Sequence, residues 1–320
     1  MKQHFFLAII SMAFFSCKPG KHNNISNTEY VKIAFDSIEF YSIHKNTYNF
    51  DSLKINILAQ INDSTKREVV IELLNYAIDE VDIHSYILTK DQYKRLETGK
   101  SQLTPFPFQG KIIDRKYAMV SIDGFLGVDS TSSDNYADSL QNLILNLYLK
   151  KPIGWIIDLR NNTGGWEYPM IAGLGPILGE GILAYEVNRD GKIENEYSYA
   201  RLNKNGILKK QIELIDSAFI FDKKLPTVVL VGNNTASAGE FLTQCFYENK
   251  KTVLIGEPTY GVPTGLRGFF MPDSTQICVT SSIFKNRNMK GNGKPIQPYF
   301  YESDNIKILA RAYKWIDENK

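Results

Sequence analysis

The chain has few histidines and fewer cysteines, and that scarcity narrows its chemistry. Among 320 residues there are four histidines and three cysteines. No His/Cys cluster has metal-site spacing, so no metal is expected, and no other cofactor is indicated. An excess of charge is also lacking: 37 basic residues stand against 35 acidic ones, a net charge of +2. Without a basic patch, nucleic acid is not an expected partner. The apolar run that stands out, Phe5 to Phe15, is too short to span a bilayer comfortably. There is no Gly-x-Gly-x-x-Gly, and no Lys-Ser or Lys-Thr follows the glycines of Arg160-Asn-Asn-Thr-Gly-Gly165, which argues against a phosphate loop. What is present is length and apolar content enough for one large domain or two small ones, with aromatics to pack a core.

The beginning of the chain reads as a targeting segment. Lys2 precedes the Phe5–Phe15 run, which ends in Phe14-Phe15-Ser16-Cys17. A small residue before the cysteine resembles a bacterial lipobox, with Phe14 where leucine is usual. That predicts a signal peptide over 1–17, lipidation at Cys17 and a polar tether over 18–27. The expected location is the cell envelope, anchored by lipid and facing the periplasm; an unused lipobox would leave a secreted protein. Cys245 and Cys278 read as buried core residues whose pairing sequence does not decide.

Periodicity divides the remainder. Residues 28–105 read as a helical N-terminal domain. Tyr30, Ile33, Ala34, Ile38 and Tyr41 share a helical face, Leu53–Ile61 is a second helix, and Thr65-Lys-Arg-Glu68 has the form of a capping box opening a third. Leu103-Thr-Pro-Phe-Pro-Phe108 breaks regular structure. Over 106–320 strands and helices alternate: strands at Tyr117–Ile122, Ile153–Leu159, Thr227–Val231 and Thr252–Ile255, helices at 135–149, 166–178 and 305–319, and a hairpin around Pro272-Asp273-Ser274. Such alternation predicts an α/β fold with helices packed on a sheet.

Chemistry concentrates at two strand-to-helix turns. Thr227–Val231 leads through Gly-Asn-Asn-Thr-Ala to Ser237 at a helix start, where unpaired N–H groups and the helix dipole favour negative charge. A serine there suits attack on a carbonyl with amides holding the oxyanion, and equally suits a plain helix cap. The upstream strand enters Gly164-Gly165, which permits close backbone approach, as in many ordinary βα loops. A serine nucleophile needs a base. His4 and His22 fall in the leader and tether, leaving His44 and His84, either of which also suits a surface or core role.

Three segments in order, Asp158-Leu-Arg-Asn-Asn-Thr-Gly-Gly165, Thr235-Ala-Ser-Ala-Gly-Glu240 and Ile255-Gly-Glu-Pro-Thr-Tyr-Gly261, resemble the C-terminal processing (tail-specific) peptidases and their tricorn-core relatives. Gly293-Lys-Pro-Ile-Gln-Pro298 resembles that family's closing motif, and Asp82-Ile-His-Ser85 is similar to a segment of its envelope lipoprotein members. The resemblance spans about residues 65–300. It implies a ClpP/crotonase-like core of mixed sheet and helices under a helical cap. It implies Ser237 as nucleophile, His84 as base, an oxyanion hole from the N–H groups of Gly165 and Ala238, and Gly164 shaping that loop. The implied activity is a serine-type endopeptidase acting on envelope polypeptides through an acyl-enzyme.

Three departures shape the expectation. The processing branch places a lysine base where Val262 stands, so the base expected here is histidine. Tricorn-type sites carry a glutamate where Asn292 stands, so Asn292, with Ser85 or Asp82, is the expected support for the imidazole. The stretch from His84 to Tyr117 is far too short for the PDZ domain of processing peptidases, a module of ~80–100 residues at domain scale. A non-catalytic peptide- or ligand-binding lipoprotein on the same scaffold stays open as the alternative. An esterase is disfavoured, since Ser237 lacks the Gly-x-Ser-x-Gly setting. Oligomeric state is not legible.

Overall fold

The computed structural model describes residues 25–99, 106–126, 130–199, 219–221 and 224–320. The expected signal peptide, Cys17, and His4 and His22 lie outside the described residues.

Three helices open the described chain: α1 (Asn27–Tyr41), α2 (Phe50–Gln60) and α3 (Arg67–Val81). Ser26 and Asn49 cap the first two by accepting from the N–H groups of Glu29 and Ser52 at 3.1 Å. The capping box expected at Thr65 does not form. Lys66 is the N-cap of α3 and makes no side-chain cap, while the Thr65 hydroxyl accepts from Asn62 N–H at 3.0 Å. The threonine is drawn into the preceding turn, a local bond that competes with capping. A short strand β1 (Tyr86–Leu88) and helix α4 (Lys90–Gly99) follow.

The alternating region contains β2 (Phe108–Ile113), β3 (Tyr117–Ile122), α5 (Ser130–Tyr148), β4 (Gly154–Asp158), α6 (Glu167–Leu178), β5 (Gly181–Asn188), β6 (Ile193–Tyr199), β7 (Thr227–Val231), α7 (Ala238–Phe246), β8 (Thr252–Gly256), β9 (Thr264–Phe270), β10 (Gln276–Asn286), β11 (Phe300–Tyr301) and α8 (Asn305–Asn319). The architecture is mixed α/β, as expected. One six-stranded sheet has the order β11-β8-β7-β4-β3-β2, parallel except for β2. Its central strands β4 and β7 are almost wholly buried, which is why they read as continuous apolar runs. Residues from α5, α6 and α7 share one core with one face of this sheet, and Ile308, Ala312 and Ile316 of α8 cover the other.

The second sheet has the order β1-β10-β5-β6, with β9 pairing to the remaining edge of β10, all antiparallel. The apolar face of α1–α3, including Tyr30, Phe35, Leu74 and Ile78, packs with Ile87, Ile277 and Val279 of this sheet. The N-terminal helices thus share their core with β10. Cys245 and Cys278 are both buried and unpaired. No described helix is long and apolar enough to cross a membrane.

Candidate active site

In an open parallel sheet, ligands gather beyond the carboxyl ends of the strands. Both glycine- and serine-bearing turns lie at such ends, after the neighbouring strands β4 and β7. They are stitched together. Thr235 Oγ1 donates to the carbonyl of Leu159 at 2.8 Å, and Ala236 N–H donates to the carbonyl of Asn162 at 2.9 Å. Asn162 Oδ1 in turn accepts from Gly164 N–H at 3.0 Å.

Ser237 sits in a backbone conformation with φ 51° and ψ −115°, uncommon for a residue with a side chain. Such strain needs support, and Glu240 provides it. Its buried carboxylate accepts from the N–H groups of Ser237 (3.0 Å), Val262 (2.8 Å) and Gly261 (2.9 Å) and from the Thr259 hydroxyl (2.5 Å). Burial pushes the Glu240 carboxyl up to about 7, against the pull of these four donors. All four are donors, so the charged, acceptor-only form fits them.

The glycines lie against this turn. A Cβ on Gly164 would stand 3.0 Å from the Ser237 Cβ. Gly165 has φ +120°, and a Cβ there would meet the Phe125 carbonyl oxygen at 2.1 Å. Among the described residues, neither Gly165 N–H nor Ala238 N–H has a hydrogen-bond acceptor.

His84 arrives from the other direction. After α3, Asp82 Oδ1 accepts from His84 N–H at 2.9 Å and from the Thr280 hydroxyl at 2.8 Å. Asp82 Oδ2 meets His44 Nε2 at 2.8 Å. Burial raises the Asp82 carboxyl, and the bonds to His44, His84 N–H and Thr280 outweigh it, leaving it below its ordinary value. Ser85 Oγ accepts from Thr280 N–H at 3.0 Å. The segment is therefore pinned to β10 at residue 280, just beyond the β1 pairing.

So held, His84 Nε2 lies 3.1 Å from Ser237 Oγ, and Nδ1 lies 2.7 Å from Thr264 Oγ1. Both residues are buried, His84 at 6% and Ser237 at 8% exposure. Burial pulls the His84 imidazole down to about 4, with the nearby Asp82 charge opposing. A neutral ring beside a serine hydroxyl is the form that accepts a proton. The structure thus brings His84, Ser237, Gly164, Gly165, Ala238 and Ser85 into one neighbourhood.

Asn292 does not join them. It is exposed, and its side chain accepts from Lys294 N–H at 3.1 Å within its own loop. The expectation that Asn292 supports the imidazole is corrected: the second ring nitrogen belongs to Thr264, at the start of β9. Sequence reasoning passed over Thr264 because one threonine among many carries no motif. The meeting of His44 with Asp82 leaves no pattern in the sequence either.

Comparison with known proteins places the chain in a family. Residues 116–300 match the family described as Peptidase family S41. The chain is 26% identical over 294 residues to a nisin-resistance protein of Lactococcus lactis subsp. lactis, covering 91% of this chain and 87% of that protein. It is 29% identical over 162 residues to a carboxyl-terminal-processing protease of Synechocystis sp., covering 51% of this chain and 33% of that larger protein. Among solved structures, a lipoprotein from Streptococcus agalactiae superposes with a TM-score of 0.75 at 22% identity, covering 93% of this chain and 98% of that one. The photosystem II D1 C-terminal processing protease gives a TM-score of 0.63 at 14% identity, covering 90% and 97%. More than half of the chain, including both stitched turns and the Ser237 helix, falls within the family match, and the chain belongs to peptidase family S41.

Proposed function

We propose that this protein is a serine-type endopeptidase of the cell envelope that cuts polypeptides through an acyl-enzyme. One observation carries the reading: the 3.1 Å approach of His84 Nε2 to Ser237 Oγ, between residues 153 positions apart in sequence. In the proposed cycle, Ser237 Oγ bonds to the scissile carbonyl carbon while its proton passes to His84 Nε2. The N–H groups of Gly165 and Ala238 hold the resulting oxyanion, a role supported by their having no acceptor among the described residues. Collapse breaks the C–N bond as Nε2 returns the proton to the leaving amine. Water then enters by the same route in reverse and frees Ser237.

In this reading residues 28–105 form a helical domain that delivers His84, and 106–320 form the peptidase core. Cys17 carries a lipid anchor. A relative named for nisin resistance and a structural neighbour described as a lipoprotein both fit an envelope location.

The test is hydrolysis of an unfolded protein such as casein, together with labelling by a fluorophosphonate. Ser237→Ala and His84→Ala should each abolish turnover, and label should attach at Ser237 in the unaltered chain only. Full turnover by either variant removes the assignment. A well-folded unaltered chain that neither hydrolyses nor reacts at Ser237 favours the binding lipoprotein instead.

A further inference from the structure

The site's two named partners leave one ring nitrogen of His84 to explain. We propose that Thr264 is the positioning residue of this site: its hydroxyl, rather than a carboxylate, fixes the orientation and tautomer of the His84 ring. The proposal rests on the peptidase reading above and deepens it.

The geometry is specific. Thr264 Oγ1 lies 2.7 Å from Nδ1, a shorter contact than the 3.1 Å between Nε2 and Ser237. Thr264 is 7% exposed, so water does not compete freely for that nitrogen. For Nε2 to accept the serine proton, the neutral ring must carry its own proton on Nδ1, and the atom opposite must accept it. The Thr264 oxygen does so. Its position is set by the backbone: Thr264 N–H donates to the carbonyl of Val262 at 2.8 Å, and Thr264 pairs with Ile283 across the β9–β10 ladder.

The usual negative charge of a serine–histidine site is present, but displaced. Asp82 bonds to the main-chain N–H of His84 and not to its ring, and spends its other oxygen on His44. Asp82 lies on the ring's own segment, with His44 behind it. On the α7 side stands Ser237, with Glu240 beneath its backbone. From β9 comes Thr264, and from β10 Thr280, bonded to Asp82. The ring is thus held in register without a carboxylate on Nδ1 to favour its charged form. Burial dominates, and the imidazole stays neutral well below its ordinary range. The consequence is an enzyme whose kcat/KM persists into mildly acidic solution, where a carboxylate-backed imidazole would already be protonated.

Three variants test this on casein across pH 4.5 to 8, with Ser237→Ala as the inactive reference. Thr264→Val keeps the shape and removes the oxygen; kcat should fall roughly 10- to 100-fold with KM little changed, the scale of a lost bond to a group that becomes charged. Thr264→Ser should restore most of that loss. Thr264→Asp should move the acid limb of kcat/KM upward, toward or past the ordinary imidazole value of about 6.5. A Thr264→Val enzyme with unaltered kcat and pH profile, beside an inactive Ser237→Ala, overturns the proposal and leaves the peptidase reading standing. Turnover by Ser237→Ala overturns both. A Thr264→Ser enzyme as impaired as Thr264→Val, with equal melting temperatures, also sinks the hydroxyl role.

Discussion

The proposed nucleophile side and the proposed base side of this site are built by opposite strategies. Ser237, Gly164 and Gly165 stand on turns that directly follow the adjacent parallel strands β4 and β7, so local chain direction and the sheet position them together. His84 stands on a turn after a helix and depends on Asp82 beside it and on three separated segments: His44 before α2, Thr264 on β9 and Thr280 on β10. A strand-turn-helix places a nucleophile by short-range geometry. A base delivered from another layer has to be tied down by side-chain bonds. The halves also titrate in opposite senses. Burial lowers His84 to about 4, whereas burial raises Glu240 to about 7 and Glu167, at the start of α6 after the glycine loop, to about 8.

Disturbing the nucleophile side at its tightest point should have the largest effect. Gly165→Ala places a Cβ into the Phe125 carbonyl at a residue with φ +120°. Activity on casein should drop at least 10²- to 10³-fold, the scale of one lost oxyanion donor, and thermal unfolding should show a loss of several kcal/mol. A variant with near-normal activity would show that this turn needs no glycine, and the contrast with the base side would weaken.

The opposed titrations are the next way to break the comparison. Glu167 is buried, and the Tyr197 hydroxyl lies 3.2 Å from both its carboxyl and that of Glu186. A folded value near 8 against about 4.5 unfolded means the folded state holds the proton more tightly. Its contribution to stability is complete below pH 4.5 and is lost by the time pH has risen through 8. Glu167→Gln should therefore flatten the decline in stability measured by urea unfolding between pH 4.5 and 8, by a few kcal/mol. An unchanged decline would place that pH sensitivity elsewhere.

On the base side the sign reverses. His84 has a folded value near 4 against 6.5 unfolded, so its contribution is complete above pH 6.5 and disappears as pH falls to 4, on the order of 3 kcal/mol. His84→Gln should lose less stability than the unaltered chain between pH 7 and 4, as followed by denaturant titration. Equal losses would mean that the ring is not held neutral by burial.

The smallest effect is expected where the base side meets solvent. His44 is 36% exposed while bonded to Asp82. His44→Ala should cost about 1 kcal/mol or less and lower kcat/KM only a few-fold, because Asp82 keeps its bonds to His84 N–H and Thr280. A loss as large as that of His84→Ala would make the His44–Asp82 pair a working part of the catalytic machinery.

Sequence legibility follows the same division. The strand-turn-helix carrying Ser237 was readable because buried strands, glycine pairs and helix starts leave local patterns. The terminal helix is readable to its last residue, Asn305–Asn319. The Thr65 capping box was misread because a competing bond from Asn62 N–H claims that hydroxyl. Asn292 was misplaced for a related reason: a position relative to a motif says nothing of where a loop turns its side chain, and this one caps Lys294 N–H.

By itself the sequence determined the mixed α/β architecture, the helical lead-in and the turn that presents Ser237, because each depends on residues within a few positions of one another. Only the tertiary structure decided that His84 reaches Ser237 and that Thr264 takes its other nitrogen. Those contacts join residues separated by 153 and 180 positions. Both depend on how β10 and the N-terminal helices share a core, and hydrogen bonds across such distances leave no periodic trace in the chain.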